Sequence, residues 1–190
     1  MNARLASGHL EVVHGSMFGG KTEHMIARLK EAEARGDRVL AFKHCIDDRY
    51  IPDAIVTHPG DRYDAVRVPD AASILEHIGI ADFIAIDEGH FFGMDLIPVI
   101  EELCGRGKSV LVAGITNDAW GRPFEPMPQL CEIAHSVVIR QSPCRVCGKP
   151  APYTQRMSEI NTKHMVGGLS DYEPRCREHF TPLATPPEVR

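Results

Sequence analysis

The stretch Gly15-Ser16-Met17-Phe18-Gly19-Gly20-Lys21-Thr22 matches the pattern G-x-x-x-x-G-K-[S/T]. It follows the apolar run Leu10–Val13 and opens a segment, Lys21–Arg35, in which apolar residues recur at helical spacing. In a strand–loop–helix of this kind, backbone N–H groups and the positive end of the helix face phosphate oxygens. A chance glycine-rich turn is the alternative, and the position between a strand and a helix disfavours it.

This loop predicts a nucleotide site with ATP and Mg²⁺ as cofactors. We expect Lys21 to bridge the β- and γ-phosphates and the Thr22 hydroxyl to ligate Mg²⁺. The other loop residues expected to hold the nucleotide are Gly15, Ser16, Met17, Gly19 and Gly20.

Short apolar runs rich in β-branched residues alternate with helical stretches up to about residue 140. The runs that predict strands are Leu10–Val13, Arg38–Phe42, Phe83–Ile86, Ser109–Ala113 and Ser136–Ile139. Helices are expected over Lys21–Arg35 and Leu96–Leu103. Strands that alternate with helices favour the α/β class, here a P-loop NTPase-like parallel sheet with helices on both faces.

The run Phe83–Ile86 ends in two carboxylates, Asp87 and Glu88. In a P-loop fold we expect Asp87 beside the phosphate loop, where it can hold the Mg²⁺ shell. Glu88 is expected on the opposite side of the crevice, where it could act as a general base. An acidic turn after a core strand is the alternative, and the presence of the phosphate loop disfavours it. The pair alone does not distinguish hydrolysis from phosphoryl transfer.

Composition excludes several classes of protein. The 190 residues carry 21 Lys and Arg against 26 Asp and Glu, a net charge of −5, which disfavours a nucleic-acid coat or a polybasic membrane binder. The longest apolar stretch, Val110–Ile115, is far shorter than the ~20 residues of a membrane span. Met1–Gly8 lacks the apolar core of a secretory signal. We therefore expect a cytoplasmic protein with no membrane or nucleic-acid partner.

The composition of the sequence and its apolar periodicity change after Arg140. Residues 141–190 are rich in Pro, Cys and charge and hold no long periodic element, and the last ten residues are expected to be a disordered tail. The sequence thus predicts a P-loop α/β domain over 1–140 and a small second domain over 141–190. A unit of about fifty residues buries too little apolar surface to be stable by its core alone.

Two ligand pairs in this second unit predict a metal site. Cys144 and Cys147 are separated by two residues, as are Cys176 and His179. Three Cys and one His make a closed tetrahedral Zn²⁺ site, which is structural because no position is left for water. Free thiols or a redox C-x-x-C are the alternatives, although a redox pair more often begins a helix in a thioredoxin-like unit. We expect a zinc-ribbon-like domain held by structural Zn²⁺.

Together these residues resemble the zinc-containing, P-loop thymidine kinases (the type II family). The matching segments lie in colinear order from about residue 9 to 180. They are GSMFGGKT at 15–22, KHCIDDRY at 43–50, AIDEGHFF at 85–92, VAGITNDAWGRPFEPMPQL at 112–130, CRVCGKPAPYTQR at 144–156, MVGG at 165–168 and YEPRCREH at 172–179. The resemblance implies phosphoryl transfer from ATP to the 5′-hydroxyl of thymidine, by an enzyme that is a homotetramer.

The resemblance also assigns roles to individual residues. Glu88 would accept the proton of the 5′-hydroxyl, while Asp47 and Arg49 would approach the phosphates, with Arg49 offsetting transition-state charge. A lid over 165–172, tethered by the zinc domain, would fold over the nucleoside. The residues implied for nucleoside binding are Met17, Phe91, Phe124 and Tyr172 as walls, and Thr154 with the backbone of Val166, Gly167 and Gly168 as readers of the base edge.

Two segments depart from the family pattern. The usual Asp-Glu-Ala-Gln-Phe-Phe run is here Asp-Glu-Gly-His-Phe-Phe, with His90 in the Gln position. The segment after Gly114 has Ala119 where an aromatic ring that stacks near the base is expected. Two alternatives therefore stay open: a nucleoside kinase of the same build with another base preference, and a regulatory protein that binds nucleotide without turnover. The full set of Lys21, Thr22 and the two carboxylates argues against the second.

Overall fold

The computed structural model describes residues 8–47, 53–57, 59–157 and 171–183. Within these residues, the strands of the main sheet are β1 (His9–Gly15), β2 (Val39–His44), β5 (Val66–Val68), β6 (Phe83–Ile86), β7 (Ser109–Ile115) and β8 (Ser136–Arg140). The helices are α1 (Lys21–Ala34), α2 (Ala72–His77), α3 (Leu96–Gly105) and α4 (Met127–Ile133), with a 3-10 helix over Gly89–Asp95. The two-stranded pairs are β3 (Ala54–Val56) with β4 (Arg62–Asp64), β9 (Ser142–Pro143) with β10 (Pro150–Ala151), and β11 (Tyr153–Arg156) with β12 (Tyr172–Arg175).

The main sheet has the strand order β5-β2-β6-β7-β1-β8, and each neighbouring pair is parallel. All four residues of β6 and the five central residues of β7 are buried. A strand that is covered on both faces has apolar residues at successive positions, without the polar alternation of a half-exposed strand. These strands could therefore be predicted from the sequence. Because all strands point the same way, the phosphate loop after β1 and the carboxylates after β6 lie at the same edge of the sheet.

Two apolar clusters cover the two faces of the sheet. On one face, α1 packs Met25, Ile26 and Leu29 against alternate strand residues such as Ala85 and Leu111. On the other face, α2, α3 and α4 pack against the intervening strand residues, among them Ile84, Ile86, Val110 and Val112. Successive side chains of a strand point to opposite faces, so each strand serves both clusters. The predicted parallel sheet with helices on both faces is confirmed.

The predicted strands and helices are present, with ends that differ by a few residues. The sequence reading missed β5, α2, α4 and the β3–β4 hairpin. These elements are short: β5 is Val-Arg-Val, β4 is Arg-Tyr-Asp, and α2 buries only Ile74. Such segments are too short for a periodic apolar pattern, and their formation depends on pairing and packing with neighbouring elements.

The described residues after β8 contain only short two-stranded pairs, β9–β10 and β11–β12. Their buried apolar cluster consists of Cys144, Ala151 and Cys176. A core this small agrees with the expectation that the region after β8 needs another source of stability. The domain boundary at 140/141 stays a prediction. Searching the described parts of the chain for a helix long and apolar enough to cross a membrane finds none.

Candidate active site

The phosphate loop passes directly against the end of β8. A β-carbon on Gly15 would lie 1.7 Å from the Arg140 carbonyl oxygen, and one on Gly19 would lie 2.5 Å from the same atom. Gly20 has a left-handed backbone (φ 81°) and forms the N-cap of α1. The motif therefore needs glycine for close backbone approach at two positions and for a turn at a third. The loop is held at the positive, N-terminal end of α1.

Lys21 begins α1 and is buried, with 8% of its surface exposed. Its Nζ donates a hydrogen bond of 2.7 Å to the carbonyl oxygen of Ser16, so the side chain folds back along the loop. Behind the loop, His14 places Nδ1 2.9 Å from the Thr116 hydroxyl. Burial first, and the positive charge of Lys21 second, lower the pKa of His14, so this imidazole is neutral near neutral pH.

The loop and the ends of β2 and β6 line one pocket. Loop residues Met17–Thr22 form one wall, and Lys43, Asp47, Asp87 and Glu88 contribute charged groups from the other strands. The structure thus brings Asp87 into the same pocket as Lys21 and Thr22, although β7 lies between their strands. The Thr22 hydroxyl and the Asp87 carboxylate are oxygen donors of the kind that Mg²⁺ prefers, so these residues fit that ion.

Asp87 and Glu88 are placed by the backbone at the end of β6. The Asp87 N–H donates to the Phe42 carbonyl at 2.9 Å, and the Glu88 N–H donates to Asp87 Oδ1 at 3.1 Å. Glu88 has φ 49° and ψ 48°, a left-handed conformation that is costly for a residue with a side chain. Such strain is typical of functional positions, because the surrounding structure must maintain it.

Lys43 is a member of the pocket to which the sequence analysis gave no role. Its side chain is 2% exposed, and its Nζ lies 3.7 Å from Asp47 Oδ2 and 3.4 Å from the carbonyl oxygen of Ala54. Asp47, which the family resemblance assigns to the phosphates, is therefore paired with a buried cation. A lysine at the end of an otherwise apolar strand was the available signal, since a buried ammonium needs a specific partner.

His90 lies between two of the aromatic residues expected to wall the nucleoside pocket. Its ring centroid is 4.3 Å from that of Phe91 and 4.6 Å from that of Phe124. Its Nδ1 lies 3.6 Å from Glu88 Oε2 and 3.4 Å from the backbone nitrogen of Ile115. The position that departs from the family pattern thus joins the aromatic wall to the proposed base.

Thr154 and Tyr172 are both buried, on the paired strands β11 and β12. The Met17 N–H donates to the Thr154 hydroxyl at 3.0 Å, so the structure brings these two predicted residues together. Tyr172 accepts a hydrogen bond of 2.7 Å from Arg156, whose guanidinium also lies 5.3 Å from the Tyr172 ring centroid. Ala119 is buried, and the neighbouring Trp120 packs against the guanidinium of Arg122.

Four predicted residues lie outside the described part of the chain. They are Arg49, Val166, Gly167 and Gly168. Their proposed roles at the phosphates and at the base edge stay predictions.

The four predicted zinc ligands come together. The ligand atoms of Cys144, Cys147, Cys176 and His179 all lie within 4.8 Å of one another. His179 Nδ1 lies 3.2 Å from the Cys176 sulfur and 3.8 Å from the Cys144 sulfur, which favours Nδ1 as the ligand atom. Three sulfurs and one imidazole nitrogen at these separations fit a tetrahedral Zn²⁺.

The backbone around this cluster favours a thiolate. Burial disfavours ionisation of Cys144, but N–H groups of Cys176, Val146 and Cys147 outweigh it and lower the pKa of Cys144 to about 6. For Cys147, the Lys149 N–H favours the thiolate and lowers the pKa. Desolvation and the neighbouring sulfurs together outweigh that effect, so the pKa of Cys147 is raised. Adjacent thiolates repel one another, and a divalent cation would remove that repulsion.

Comparison with known proteins identifies the family. The family model for thymidine kinase matches residues 8–180. The chain belongs to the thymidine kinase family. It is 41% identical over 183 residues to a thymidine kinase of Bdellovibrio bacteriovorus, covering 96% of this chain and 90% of that protein. It is also 41% identical over 175 residues to a thymidine kinase of a Rhodothermus species, covering 92% of this chain and 82% of that protein.

Among solved structures, one with a partial likeness to this chain is the replication initiator DnaA bound to AMPPCP and single-stranded DNA. It is 17% identical, with a TM-score of 0.43 over 70% of this chain and 40% of the DnaA chain. The present chain thus spans well under half of DnaA, and at this TM-score the likeness carries no inference about ligands.

Proposed function

We propose that this protein transfers the γ-phosphoryl group of ATP to the 5′-hydroxyl of thymidine, giving dTMP for nucleotide salvage. The observation that carries the proposal is one pocket that contains Lys21, Thr22, Asp87 and Glu88, in a chain that belongs to the thymidine kinase family. A cation, a hydroxyl and two carboxylates are the groups that phosphoryl transfer to an alcohol requires.

The donor half of the site is the phosphate loop. Its backbone N–H groups and Lys21 would bind the β- and γ-phosphates, while Thr22 and Asp87 would hold Mg²⁺, which supplies charge neutralisation when bound. Asp47, supported by its buried partner Lys43, would border the phosphates. Arg49 would offset the charge of the transition state, as the family resemblance implies.

The acceptor half begins at Glu88. Its carboxylate would orient the 5′-hydroxyl and accept its proton as the oxygen attacks the γ-phosphorus in line with the leaving β-phosphate oxygen. Phe91, Phe124 and Tyr172 would wall the nucleoside, and Thr154 with the backbone of residues 166–168, on the lid over 165–172, would read the base edge. Closing that lid would exclude water, which favours transfer to the nucleoside over hydrolysis.

Two observations keep another base preference as a second candidate. Ala119 stands where the family has a stacking ring, and His90 stands where the family has Gln. Loss of one base–aromatic contact would weaken base binding by about 1–3 kcal/mol. His90 lies between Phe91 and Phe124, so it could replace part of the lost aromatic surface.

A panel assay separates the two candidates. ATP-dependent phosphorylation is measured for thymidine, deoxyuridine, deoxycytidine, deoxyadenosine and deoxyguanosine, and kcat/KM values are compared. We expect thymidine to have the highest value. Preference for another base would replace the first candidate by the second, and the absence of turnover with all five would favour a binding protein.

We further propose that the enzyme is a cytoplasmic homotetramer that holds structural Zn²⁺ and has no nucleic-acid partner. The support is the family resemblance, the fit of the four ligands, and a net charge of −5. Light scattering coupled to size exclusion, together with zinc analysis, tests the assembly and the metal.

A further inference from the structure

The chain contacts the phosphate loop at three places from the end of β8 onward. The Arg140 carbonyl fills the space beside Gly15 and Gly19. The Ser142 hydroxyl donates to the carbonyl oxygen of Phe18. The Thr154 hydroxyl accepts from the Met17 N–H at 3.0 Å. The loop that binds phosphate is therefore held from outside by residues that come more than a hundred positions later in the chain.

Two of these contacts are made by residues next to the zinc ligands. Ser142 lies on β9, two residues before the zinc ligand Cys144. Thr154 on β11 pairs with Pro174 on β12, two residues before Cys176, and the carbonyl of Pro174 also accepts from the N–H of Arg145. The cluster of sulfurs thus ties together the two short pairs of strands that present these hydroxyls to the loop.

The loop needs such support because its own backbone is strained. Phe18 has a left-handed φ of 63°, which is costly for a residue with a side chain. Conformations of this kind persist only where the surroundings maintain them. Thr154 is 3% exposed, so its hydrogen bond to the Met17 N–H is shielded from water, and loss of the hydroxyl would leave that amide without an acceptor.

We propose that Thr154 is a positioning residue of the phosphate loop, and that Zn²⁺ binding to the four-ligand cluster thereby raises the affinity of the loop for ATP. The strands that carry Thr154 have almost no apolar core, so metal ligation supplies much of their folding free energy. A ligand that orders these strands also orders the loop, and the two binding events are thermodynamically coupled. The proposal rests on the proposed function only in placing ATP at this loop.

This role is compatible with the base contact expected of Thr154. A hydroxyl accepts through its lone pairs and donates one hydrogen. The Met17 N–H uses a lone pair, and the hydroxyl hydrogen can still be donated to a base edge. One side chain would then contact the donor loop and the acceptor nucleoside.

The test measures binding of a fluorescent ATP analogue in the presence of Mg²⁺, before and after treatment with a zinc-selective chelator. The variants are Thr154→Val, which keeps the shape of the side chain, and Thr154→Ser, which keeps the hydroxyl. Thr181→Val is the matched control, because Thr181 lies in the same region and its hydrogen bond to Gln155 is donated by the backbone N–H, which the substitution keeps. Far-UV circular dichroism and zinc content establish that each variant is folded and loaded.

We expect chelation to weaken nucleotide binding by the wild type, Thr154→Ser and Thr181→Val by about tenfold, the usual size of one such coupling. Thr154→Val is expected to show about the same loss with zinc present and little further loss after chelation. Amide exchange at Met17 should accelerate in Thr154→Val and in the chelated wild type.

Two results would overturn the proposal. One is unchanged nucleotide affinity in the chelated wild type. The other is an equal further loss in Thr154→Val after chelation, which would make the two effects independent. Either result leaves the proposed kinase activity intact, whereas coupled nucleotide binding without phosphoryl transfer would contradict the kinase activity and support the coupling.

Discussion

His90 is one of the residues at which this chain departs from the family pattern, and it lies inside the site. Its ring packs between Phe91 and Phe124, and its Nδ1 faces both the Glu88 carboxylate and the Ile115 N–H. A residue that contacts both the aromatic wall and the proposed base can affect nucleoside binding and catalysis separately. Substitutions that keep either the ring or the polar atom distinguish these effects.

We predict that His90→Phe lowers kcat by roughly tenfold, with little change in KM for the nucleoside. Phenylalanine keeps the ring packing but removes the nitrogen that faces Glu88, so the base loses a group that orients it. His90→Asn, which keeps a polar atom close to the position of Nδ1, should retain most of kcat. Steady-state kinetics of both variants are the measurement. Equal losses of kcat in the two variants would assign the effect to packing and contradict an orienting role.

At the scale of single residues, the sequence predicted the site residues that belong to a motif. It did not predict the groups that reach the site only because of how the chain folds. Lys21, Thr22 and Asp87 follow from the loop pattern and from an acidic end to an apolar strand. Lys43 and the Arg140 carbonyl could not be predicted in the same way. The role of a buried lysine depends on partners that the fold brings to it. A backbone carbonyl is present in every residue, so the sequence does not show which one contacts the loop.

At the scale of elements, α1 is joined to β1 by a buried carboxylate as well as by apolar packing. Glu11 on β1 is 6% exposed. It accepts from Arg28 Nε at 3.0 Å, and its other oxygen lies 2.8 Å from His24 Nε2. On the far side of the imidazole, Arg140 lies 3.0 Å from His24 Nδ1. The helix that follows the phosphate loop is therefore tied to two neighbouring strands, β1 and β8.

We predict that Glu11→Ala lowers the free energy of unfolding by about 2 kcal/mol, because it removes the buried acceptor that Arg28 and His24 share and leaves Arg28 only its more exposed pairing with Glu31. Asp37→Ala is the control, since the Arg35–Asp37 pair is largely exposed and its loss should cost about 0.5 kcal/mol or less. Urea denaturation of the three proteins gives the comparison. Similar losses in both variants would show that Glu11 contributes no more than a surface ion pair.

The elements that the sequence predicted well are those buried on both faces. β6 and β7 are continuous apolar runs, and α1 has four apolar residues at helical spacing, which leaves little ambiguity. β3, β4 and β5 are strands of three residues, of which β4 and β5 carry charged residues, and α4 has a proline in its first turn. The formation of these short elements depends on the neighbouring elements that pack against them, and the local sequence pattern does not specify those neighbours.

At the scale of the whole molecule, the chain joins a sheet with a large apolar core to a region stabilised by few apolar contacts. The main clusters contain residues from every strand of the sheet except β8, where Val138 is only partly buried. The cluster beyond β8 contains three residues, two of which are expected zinc ligands. These two parts should therefore respond differently to removal of the metal.

We predict that zinc removal abolishes amide protection in β10, β11 and β12, while β1, β6 and β7 keep theirs. The physical reason is that metal ligation replaces a core in one part and has no role in the other. Hydrogen exchange read by mass spectrometry, with and without a zinc-selective chelator, is the measurement. The Cys131→Ser variant, altered outside the cluster, should behave like the wild type. Simultaneous loss of protection in the sheet would contradict a separate metal-dependent unit.

Phosphoryl transfer to a nucleoside is the central claim, and Glu88 is the residue that links it to this pocket. The most direct measurement follows label from γ-labelled ATP to thymidine, with the wild type and Glu88→Gln compared side by side and thymidine binding measured in parallel. The wild type should produce dTMP labelled on the 5′-phosphate. Glu88→Gln should bind thymidine but transfer label more slowly by about 10²–10⁴-fold, the usual contribution of a general base. Absence of labelled dTMP from the wild type, or full activity in Glu88→Gln, would contradict the account.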